Sequence, residues 1–247
     1  MKSLKLPINC DFQTVKNNLQ KQTVFFTHIL SGLKYTISGS SVLSIIFMET
    51  PEYDDFDLYF YKKSDIKKAT LIFNKSKDYR LLYKSKYAIT FICIFNNKKI
   101  QLIYRNKPTA WHIANSHDFL NCAIAYTPQD NSLYTSPQAL QAWGEQLLVI
   151  NKSPLFNKTY PDLLFFNQFA IFIQRIKKYK ARYGLELCPK SKNYFIEIYS
   201  DYKKRLSEYT SSFDSDTIPA IHFVCPYSGY QYALKNILKD FTLQEII

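Results

Sequence analysis

Two aspartates on one predicted strand are the residues of this sequence whose types and spacing most readily suggest chemistry. Asp55 and Asp57 are two residues apart beside the alternating, aromatic-rich segment 56–61, which predicts a strand. Because successive side chains of a strand point to opposite faces, both carboxylates are expected on the same face. Carboxylates crowded in this way repel each other and favour a shared divalent cation. The pair therefore predicts a site for Mg²⁺ or Mn²⁺.

A Gly-Ser turn lies upstream of this strand, between a short predicted strand over 35–38 and an apolar segment over 42–47. Gly39 would let the backbone approach a phosphate closely, and Ser40 adds a hydroxyl. The N-terminus of the following helix offers free N–H groups and the positive end of its dipole. Ser41 is interpreted first as a helix-start residue and alternatively as a phosphate contact. Together with the cation, these groups would hold a triphosphate and neutralise a departing pyrophosphate.

The elements that must position these residues follow from periodicity and turn signals. Helices are predicted over 11–33, 65–75, 109–117, 137–148, 160–183, 191–210 and 226–247, and strands over 35–38, 56–61, 88–95, 99–104, 119–126 and 132–136. Asn96 and Asn97 predict the turn of a hairpin, and Gly184 predicts a helix end. This order predicts an α+β fold, a mixed sheet with flanking helices over 1–150, followed by a helical module over 151–247.

Composition narrows the class of protein and its partners. The chain has 247 residues, with 32 Lys and Arg against 20 Asp and Glu, so its net charge of +12 favours an anionic partner. The five cysteines and four histidines are scattered, which argues against a zinc site and favours a reducing compartment. The first residues lack an apolar segment, and no apolar run is long enough to span a bilayer. We therefore expect a cytoplasmic protein without a signal peptide or a membrane partner.

The Gly39-Ser40 turn, the helix and the Asp55-x-Asp57 strand together resemble the signature of the nucleotidyltransferase superfamily, which has the polymerase-beta-like fold. Later segments resemble a viral and microbial-eukaryotic subgroup of that superfamily, and the matching stretches run from about residue 35 to residue 184. These segments are Ala-Ile-Thr-Phe at 88–91, Ile-Gln-Leu-Ile at 100–103, His-Asp-Phe at 117–119 and Arg-Ile-Lys-Lys-Tyr at 175–179. The resemblance implies transfer of a nucleoside monophosphate from an NTP to a hydroxyl, with Mg²⁺ or Mn²⁺ as cofactor.

The superfamily usually carries a third carboxylate on a later strand, and this chain has Gln101 at the corresponding place. An uncharged amide is a poor Mg²⁺ ligand and a poor base. Asp118 is the candidate substitute, with helix or strand capping as the alternative, and Gln101 is equally compatible with a structural role. The neighbouring His117 is interpreted as a surface histidine, with a base as the alternative.

A basic cluster at 175–182 offers the second candidate contact with a nucleotide. Lys178 and Arg182 are its candidate phosphate ligands, although an ordinary solvated helix face explains such a cluster too. Tyr179 and Tyr183 are candidates for stacking on a base. The charge favours RNA, especially tRNA, as the acceptor. Two alternatives stay open: a degenerate nucleotidyltransferase that binds nucleotide or RNA without chemistry, and a toxin or effector that modifies a host protein or tRNA.

Overall fold

The computed structural model describes residues 12–48, 51, 53, 55–85, 88–104, 109–151, 161–211, 222–224 and 231–233. The chain divides into two compact units, Met1–Glu145 and Gln146–Ile247. Within the described ranges, no helix is long and apolar enough to cross a membrane. The functional division into 1–150 and 151–247 stays a prediction.

The first unit is built on a seven-stranded mixed sheet in the order β3-β4-β5-β2-β1-β6-β7. Its strands are β1 (Tyr35–Ser38), β2 (Asp55–Phe60), β3 (Tyr79–Lys84), β4 (Ala88–Cys93), β5 (Lys99–Tyr104), β6 (Ile124–Thr127) and β7 (Ser132–Thr135). Its helices are α1 (Phe12–Thr27), α2 (Ser40–Phe47), α3 (Lys63–Lys75), α4 (Ala110–Ala114) and α5 (Pro137–Gly144), with a 3₁₀ turn at Leu120–Cys122. The β2–β5 pair is parallel, and the other neighbours are antiparallel. The predicted α+β class is confirmed.

The register of the central strands places polar residues in one row across the sheet. Ser38 of β1 lies opposite Asp57 of β2, and Asp57 lies opposite Gln101 of β5. Thr90 of β4 continues the row opposite Gln101. Side chains of directly opposed residues share a face, so one face of the sheet carries these four groups side by side.

The opposite face of β2 is held by the apolar core. Phe56 lies between the two aspartates in sequence, is fully buried and packs edge-on against Phe26 of α1 with ring centroids 5.1 Å apart. Leu58 is equally buried. Aromatic pairs of this kind add specific packing to the burial of their area. A shift of β2 by one residue would expose Phe56 and Leu58, so the core fixes the face that Asp55 and Asp57 occupy.

The second unit contains two long helices, α6 (Asp162–Tyr183) and α7 (Pro189–Ser211). Two short sheets complete it, a parallel pair of β8 (Leu147–Leu148) with β9 (Glu186–Leu187) and an antiparallel pair of β10 (His222–Val224) with β11 (Gln231–Ala233). Phe169 of α6 stacks on Tyr202 of α7 with ring centroids 4.3 Å apart, and both side chains are buried. Gly184 ends α6 with φ 65°, which confirms the predicted helix end.

The structure corrects several predicted elements. The strand β3 is not predicted from the sequence, and residues 231–233, expected in a helix over 226–247, form a strand instead. The rest of that expected helix lies outside the described residues. The expected strand over 119–126 begins only at Ile124, after the 3₁₀ turn, and α5 ends at Gly144 instead of continuing to 148. The hairpin predicted at Asn96 and Asn97 is confirmed by the antiparallel β4–β5 pair.

Candidate functional site

The turn between β1 and α2 brings Gly39 against the carboxylate of Asp57. Gly39 is buried and has φ 100°, in the range that favours glycine. A Cβ atom at this position would lie 3.3 Å from Oδ2 of Asp57 and 3.7 Å from Cε1 of His117. The backbone conformation therefore favours glycine here, and a Cβ atom would also press on the Asp57 carboxylate. The N-terminus of α2 and the Asp57 side chain therefore lie side by side at Gly39. We call this site, formed by Gly39, the N-terminus of α2 and Asp57, the Gly39 cradle.

Two serines begin α2 beside this cradle. Ser40 is the first residue of the helix and half-buried, and Ser41 is almost completely buried. The Ser41 hydroxyl oxygen is shielded from solvent and has no hydrogen-bond partner among the described residues. A buried hydroxyl without a partner costs free energy unless a ligand or water satisfies it. The sequence suggested first that Ser41 is a helix-start residue. Its buried hydroxyl can still donate a hydrogen bond, which would suit a ligand rich in oxygen atoms.

Asp55 and Asp57 both lie half-buried on the same face of β2, as predicted. Beside them, Gln101 is only 6% exposed and donates a hydrogen bond from Nε2 to Oδ2 of Asp55 at 2.8 Å. The amide thus occupies the place where the superfamily resemblance implies a third acid, and it binds one carboxylate oxygen. The neighbouring Thr90 is buried, and its hydroxyl has no hydrogen-bond partner within the described part of the chain.

His117 reaches the cradle from the chain that follows α4. Its Nε2 lies 2.8 Å from Oγ of Ser38, and its ring lies edge-on to Tyr59 with ring centroids 6.2 Å apart. The sequence interpretation of His117 as a surface histidine is therefore wrong. No local sequence signal could have joined Ser38 to a residue 79 positions later, since the pairing depends on the sheet order.

Asp118 follows directly and is half-buried, with its Oδ2 shielded from solvent. Among the described residues, the structure contains no group of three or more His, Cys, Asp or Glu side chains that could hold a metal ion. Asp118 thus does not join Asp55 and Asp57 in such a group. The carboxylates of β2 and the amide of Gln101 thus lie together near the cradle, beside the serines of α2 and His117.

Lys178 and Arg182 belong to the second unit, in the last two turns of α6. Both are half-buried, and the neighbouring Lys180 forms an ion pair with Glu186 at 3.1 Å. Basic residues at the end of a helix also stabilise its dipole. Tyr179 and Tyr183 stack on each other and are buried, with 7% and 1% exposure, which leaves little ring surface for a base.

The fold places the chain among proteins with a nucleotidyltransferase fold. It is similar to the Thermotoga maritima CCA-adding enzyme complexed with tRNA, with a TM-score of 0.58 and 12% identity over 79% of this chain and 47% of that one. A CCA-adding enzyme in complex with CTP gives a TM-score of 0.57 and 13% identity over 79% and 48%. A CCA-adding enzyme in complex with ATP gives a TM-score of 0.51 and 12% identity over 78% of this chain and 43% of that one. The chain thus spans about half the length of these structures, and identities this low show the fold alone.

The particular family is shown by the sequence. Residues 9–145 match the family of Gabija anti-defense 2 proteins, and the chain belongs to this family. A comparison with curated proteins found no match. The matched residues include the cradle, β2, Gln101 and His117.

Proposed function

We propose that this protein binds an NTP in the Gly39 cradle and transfers its nucleoside monophosphate to a hydroxyl acceptor, acting as a viral effector against Gabija defence. The observation that carries the proposal is the apposition of Gly39 and Asp57, since a Cβ atom on Gly39 would lie only 3.3 Å from the Asp57 carboxylate. The fold similarity to CCA-adding enzymes and the anti-defence family support the two halves of the proposal.

The residues around the cradle fit a triphosphate. The N-terminus of α2, which has no side-chain cap, would direct backbone N–H groups and the positive end of the helix dipole at an anion. The buried Ser41 hydroxyl offers one further donor. Ser40 begins the helix at the point where the β- and γ-phosphates would lie. In this arrangement Gly39 allows the close approach, and Ser40 and Ser41 hold the phosphate oxygens.

The donor set of β2 fits one divalent cation. Asp55 and Asp57 supply oxygen ligands on one face, and the triphosphate would supply the others, as Mg²⁺ or Mn²⁺ requires. When bound, such an ion would neutralise charge that develops on the departing pyrophosphate. The residues of the chain then hold the α-phosphorus in line with the incoming hydroxyl.

In the proposed reaction, the acceptor oxygen forms a bond to the α-phosphorus, and the bond from that phosphorus to the bridging oxygen of pyrophosphate breaks. The hydroxyl proton leaves to solvent water or to a carboxylate. Asp118 and Gln101 are the candidates to orient the acceptor, Gln101 through its second amide hydrogen and its carbonyl oxygen. Proper orientation supplies much of the rate in phosphoryl transfer.

We propose RNA, with tRNA foremost, as the acceptor. The net charge of +12 suits a polyanion, and one structure of similar fold contains tRNA. Lys178 and Arg182 would contact its phosphates, so binding would weaken steeply as salt rises. A protein hydroxyl of the defence system is the alternative acceptor that the family suggests.

The hydrogen bond from Gln101 to Asp55 favours a second candidate function. Gln101 has an amide where the resemblance implies an acid. Its hydrogen bond occupies an oxygen of Asp55 that a metal ion would use. A protein with this site could bind nucleotide or RNA and act by sequestration, without chemistry. Both candidates share the binding site and differ only in turnover.

Transfer of label from each α-³²P-labelled NTP distinguishes the two candidates. The wild-type chain is incubated with Mg²⁺ or Mn²⁺, total RNA and lysate of cells carrying Gabija, and the products are digested with nuclease or protease before electrophoresis. We expect label on RNA that resists protease, and its loss in Asp57→Asn. Asp78→Asn is the matched control, because Asp78 is exposed in the turn before β3.

Each outcome of this experiment has a defined meaning. Label that disappears with protease would identify a protein acceptor instead of RNA. Absence of any transfer, with NTP binding intact, would establish the binding function. Equal transfer by wild type and Asp57→Asn would contradict the assignment of this site.

A further inference from the structure

We infer that the 3′ end of a single-stranded RNA acceptor lies along the sheet face that carries Asp57, on a row of side chains that we call the acceptor track. The track consists of Arg80, Tyr83, Ile92 and Lys99. This inference rests on the proposed function and adds the place of its acceptor. Three observations carry it: the strand register, the charge of strands β3 to β5, and a bulge that turns a tyrosine to this face.

The acceptor track is aligned with the aspartates of β2. Lys99 of β5 lies opposite Asp55. Ile92 of β4 lies opposite Lys99, and Arg80 of β3 lies opposite Ile92. Because directly opposed residues share a face, this row runs from the edge of the sheet to a proposed metal ligand. Three strand spacings of about 4.8 Å make the row about 14 Å long.

The side chains of this row are accessible, since each of its members is half-buried or exposed. The opposite face of the same strands is covered by α3, whose Phe73 stacks on Phe91 of β4 with ring centroids 5.0 Å apart. Phe91 precedes Ile92 on the strand, so the two side chains point to opposite faces. A ligand that follows these strands toward β2 therefore lies on the face of Ile92.

The charges of β3, β4 and β5 suit a polyanion. These three strands contain no acidic residue. Within the described residues, neither Arg80 nor Lys99 forms an ion pair. Both cations can therefore bind backbone phosphates. The carboxylates lie only at the inner end of the row, where the proposed function puts the metal ion.

A bulge brings Tyr83 to the same face as Arg80. Residues three apart on a regular strand point to opposite faces, but the register of β3 shifts between Leu81 and Tyr83. Tyr83 consequently lies opposite Thr90, in the row that contains Asp57. Bulges at sheet edges commonly redirect a side chain in this way.

The ring of Tyr83 is not used by the fold. It is half-buried, and in the part of the chain that the structure describes it has no aromatic contact and no side-chain hydrogen bond. In contrast, the rings of Tyr53 and Tyr79 both pack against phenylalanines. A tyrosine on a sheet face between cations is suited to stack on an unpaired base.

This combination selects a single strand over a duplex. The bases of a duplex are paired and stacked on each other, so they cannot lie on Tyr83 or Ile92, whereas the bases of a single strand can. An RNA end that follows the track brings its terminal hydroxyl to Asp55. A protein acceptor carries no row of phosphates, so Arg80 and Lys99 would not contribute to its binding.

Fluorescence anisotropy with a 5′-fluorescein-labelled octa-adenylate that has a free 3′ hydroxyl, at several salt concentrations, tests the inference. We expect Arg80→Ala and Lys99→Ala each to reduce the slope of log K against log salt by about 0.7, the contribution of one contact to a single strand. Lys84→Ala is the matched control, because Lys84 is an exposed cation of the same strand that lies opposite Ile89, on the other face.

Stacking is tested on Tyr83. Tyr83→Ala should weaken binding of the octamer roughly tenfold, and Tyr83→Phe less than about twofold, because the ring remains. Binding of a 16-base-pair RNA duplex should not change in either variant. Arg80 is exposed, so Arg80→Ala keeps the test decisive if Tyr83→Ala does not fold.

Slopes of Arg80→Ala and Lys99→Ala equal to that of Lys84→Ala would overturn the inference, and so would equal affinity of Tyr83→Ala and wild type for the octamer. If the wild type nevertheless transfers label to RNA, the proposed function stands and only this inference fails. If the wild type neither binds the octamer nor labels RNA, the proposed RNA acceptor and this inference both fail.

Discussion

Gln101 and Asp55 are joined by a hydrogen bond of 2.8 Å from the amide Nε2 to the carboxylate Oδ2, across the parallel pairing of β2 and β5. The same register places Gln101 directly opposite Asp57. A neutral donor therefore binds Asp55 from the strand on which the superfamily resemblance implies a third acid. This bond lowers the repulsion between the acids and leaves fewer oxygens for metal ions, and the first prediction depends on it.

Gln101→Glu should make folding depend on divalent cations. The substitution replaces a donor by a charge beside Asp55 and Asp57, so repulsion should lower stability by about 1–3 kcal/mol in EDTA. Mg²⁺ or Mn²⁺ should restore it, because three carboxylates bind a divalent ion better than two. Thermal unfolding in EDTA and in Mg²⁺ measures both effects.

Thr90→Val is the matched control for Gln101→Glu. Thr90 of β4 lies opposite Gln101 in the row of polar residues across the sheet. Its buried hydroxyl has no hydrogen-bond partner in the described ranges. Replacement by a methyl group of similar size should cost little or even stabilise the fold. If Gln101→Glu gains no more from Mg²⁺ than wild type does, the idea that residue 101 limits metal binding is wrong.

Gly39→Ala should impair both folding and nucleotide binding. Its backbone, at φ 100° and ψ −157°, lies in a region that essentially only glycine adopts, so a residue with a Cβ atom should cost about 1–3 kcal/mol there. The same Cβ would lie 3.3 Å from Asp57, which should also displace the carboxylate. Urea unfolding measures the first effect, and titration with a non-hydrolysable NTP measures the second.

Gly32→Ala separates backbone strain from the local contact. Gly32 has φ 82°, yet in the part of the chain that the structure describes no atom beyond its two chain neighbours lies within 4 Å of a Cβ built on it. We expect a loss of stability similar to that of Gly39→Ala with unchanged nucleotide affinity. Equal nucleotide affinity in both variants would show that the contact with Asp57 has no part in binding.

Alkaline pH should destabilise the first unit through Tyr126. Burial, and then the charge of Asp130, raises the pKa of Tyr126 to about 12 from an ordinary value of about 10. A raised pKa means that stability is fully present below about pH 10 and is lost as pH rises toward the folded-state value. At about pH 11 the share of the loss that belongs to Tyr126 should be roughly 1 kcal/mol relative to neutral pH.

Tyr126→Phe isolates this contribution. The variant lacks the hydrogen bond to Asn131, which is 3.1 Å long, and should be less stable by about 1 kcal/mol at neutral pH. Its stability should then fall less than that of wild type between neutral pH and about pH 11. Parallel alkaline losses in urea unfolding would rule out Tyr126 as the group responsible.

Lys178→Ala and Arg182→Ala should weaken RNA binding through lost phosphate contacts. Each variant should reduce the slope of log K against log salt by about one, whatever the RNA sequence. Lys204→Ala is the control, since this lysine of α7 is 74% exposed and lies 4.0 Å from Glu208. Fluorescence anisotropy at several salt concentrations measures the slopes. Slopes equal to that of Lys204→Ala would remove α6 from the RNA interface.

The sequence was sufficient for the parts of the site that are close along the chain. Gly39, Ser40 and the pair on β2 follow from a glycine turn and a two-residue alternation, which are local rules. The apolar periodicity of α1 and α6 likewise predicted these two helices, although α1 ends at Thr27 and does not continue to residue 33. These features depend on short-range sterics and on one buried face of each element. Both can be inferred from residues that are close along the chain.

The parts that could not be predicted depend on register and burial. The strand β3 lies at the edge of the sheet with Leu81 and Leu82 both about half exposed, so it lacks the alternation that marks a half-buried strand. The partner of Gln101 depends on how β2 aligns with β5, and that of His117 on β1 lying next to β6. Neither alignment can be inferred from the local sequence.

The central claim is that an NTP binds at the N-terminus of α2 together with a divalent cation held by Asp55 and Asp57. Titration of Mn²⁺ by electron paramagnetic resonance, with a non-hydrolysable NTP present, measures it directly as the loss of the free Mn²⁺ signal. We predict one tightly bound Mn²⁺ per chain that requires the nucleotide, at least tenfold weaker binding in Asp57→Asn, and unchanged binding in Asp78→Asn. Equal Mn²⁺ binding by wild type and Asp57→Asn would contradict the account.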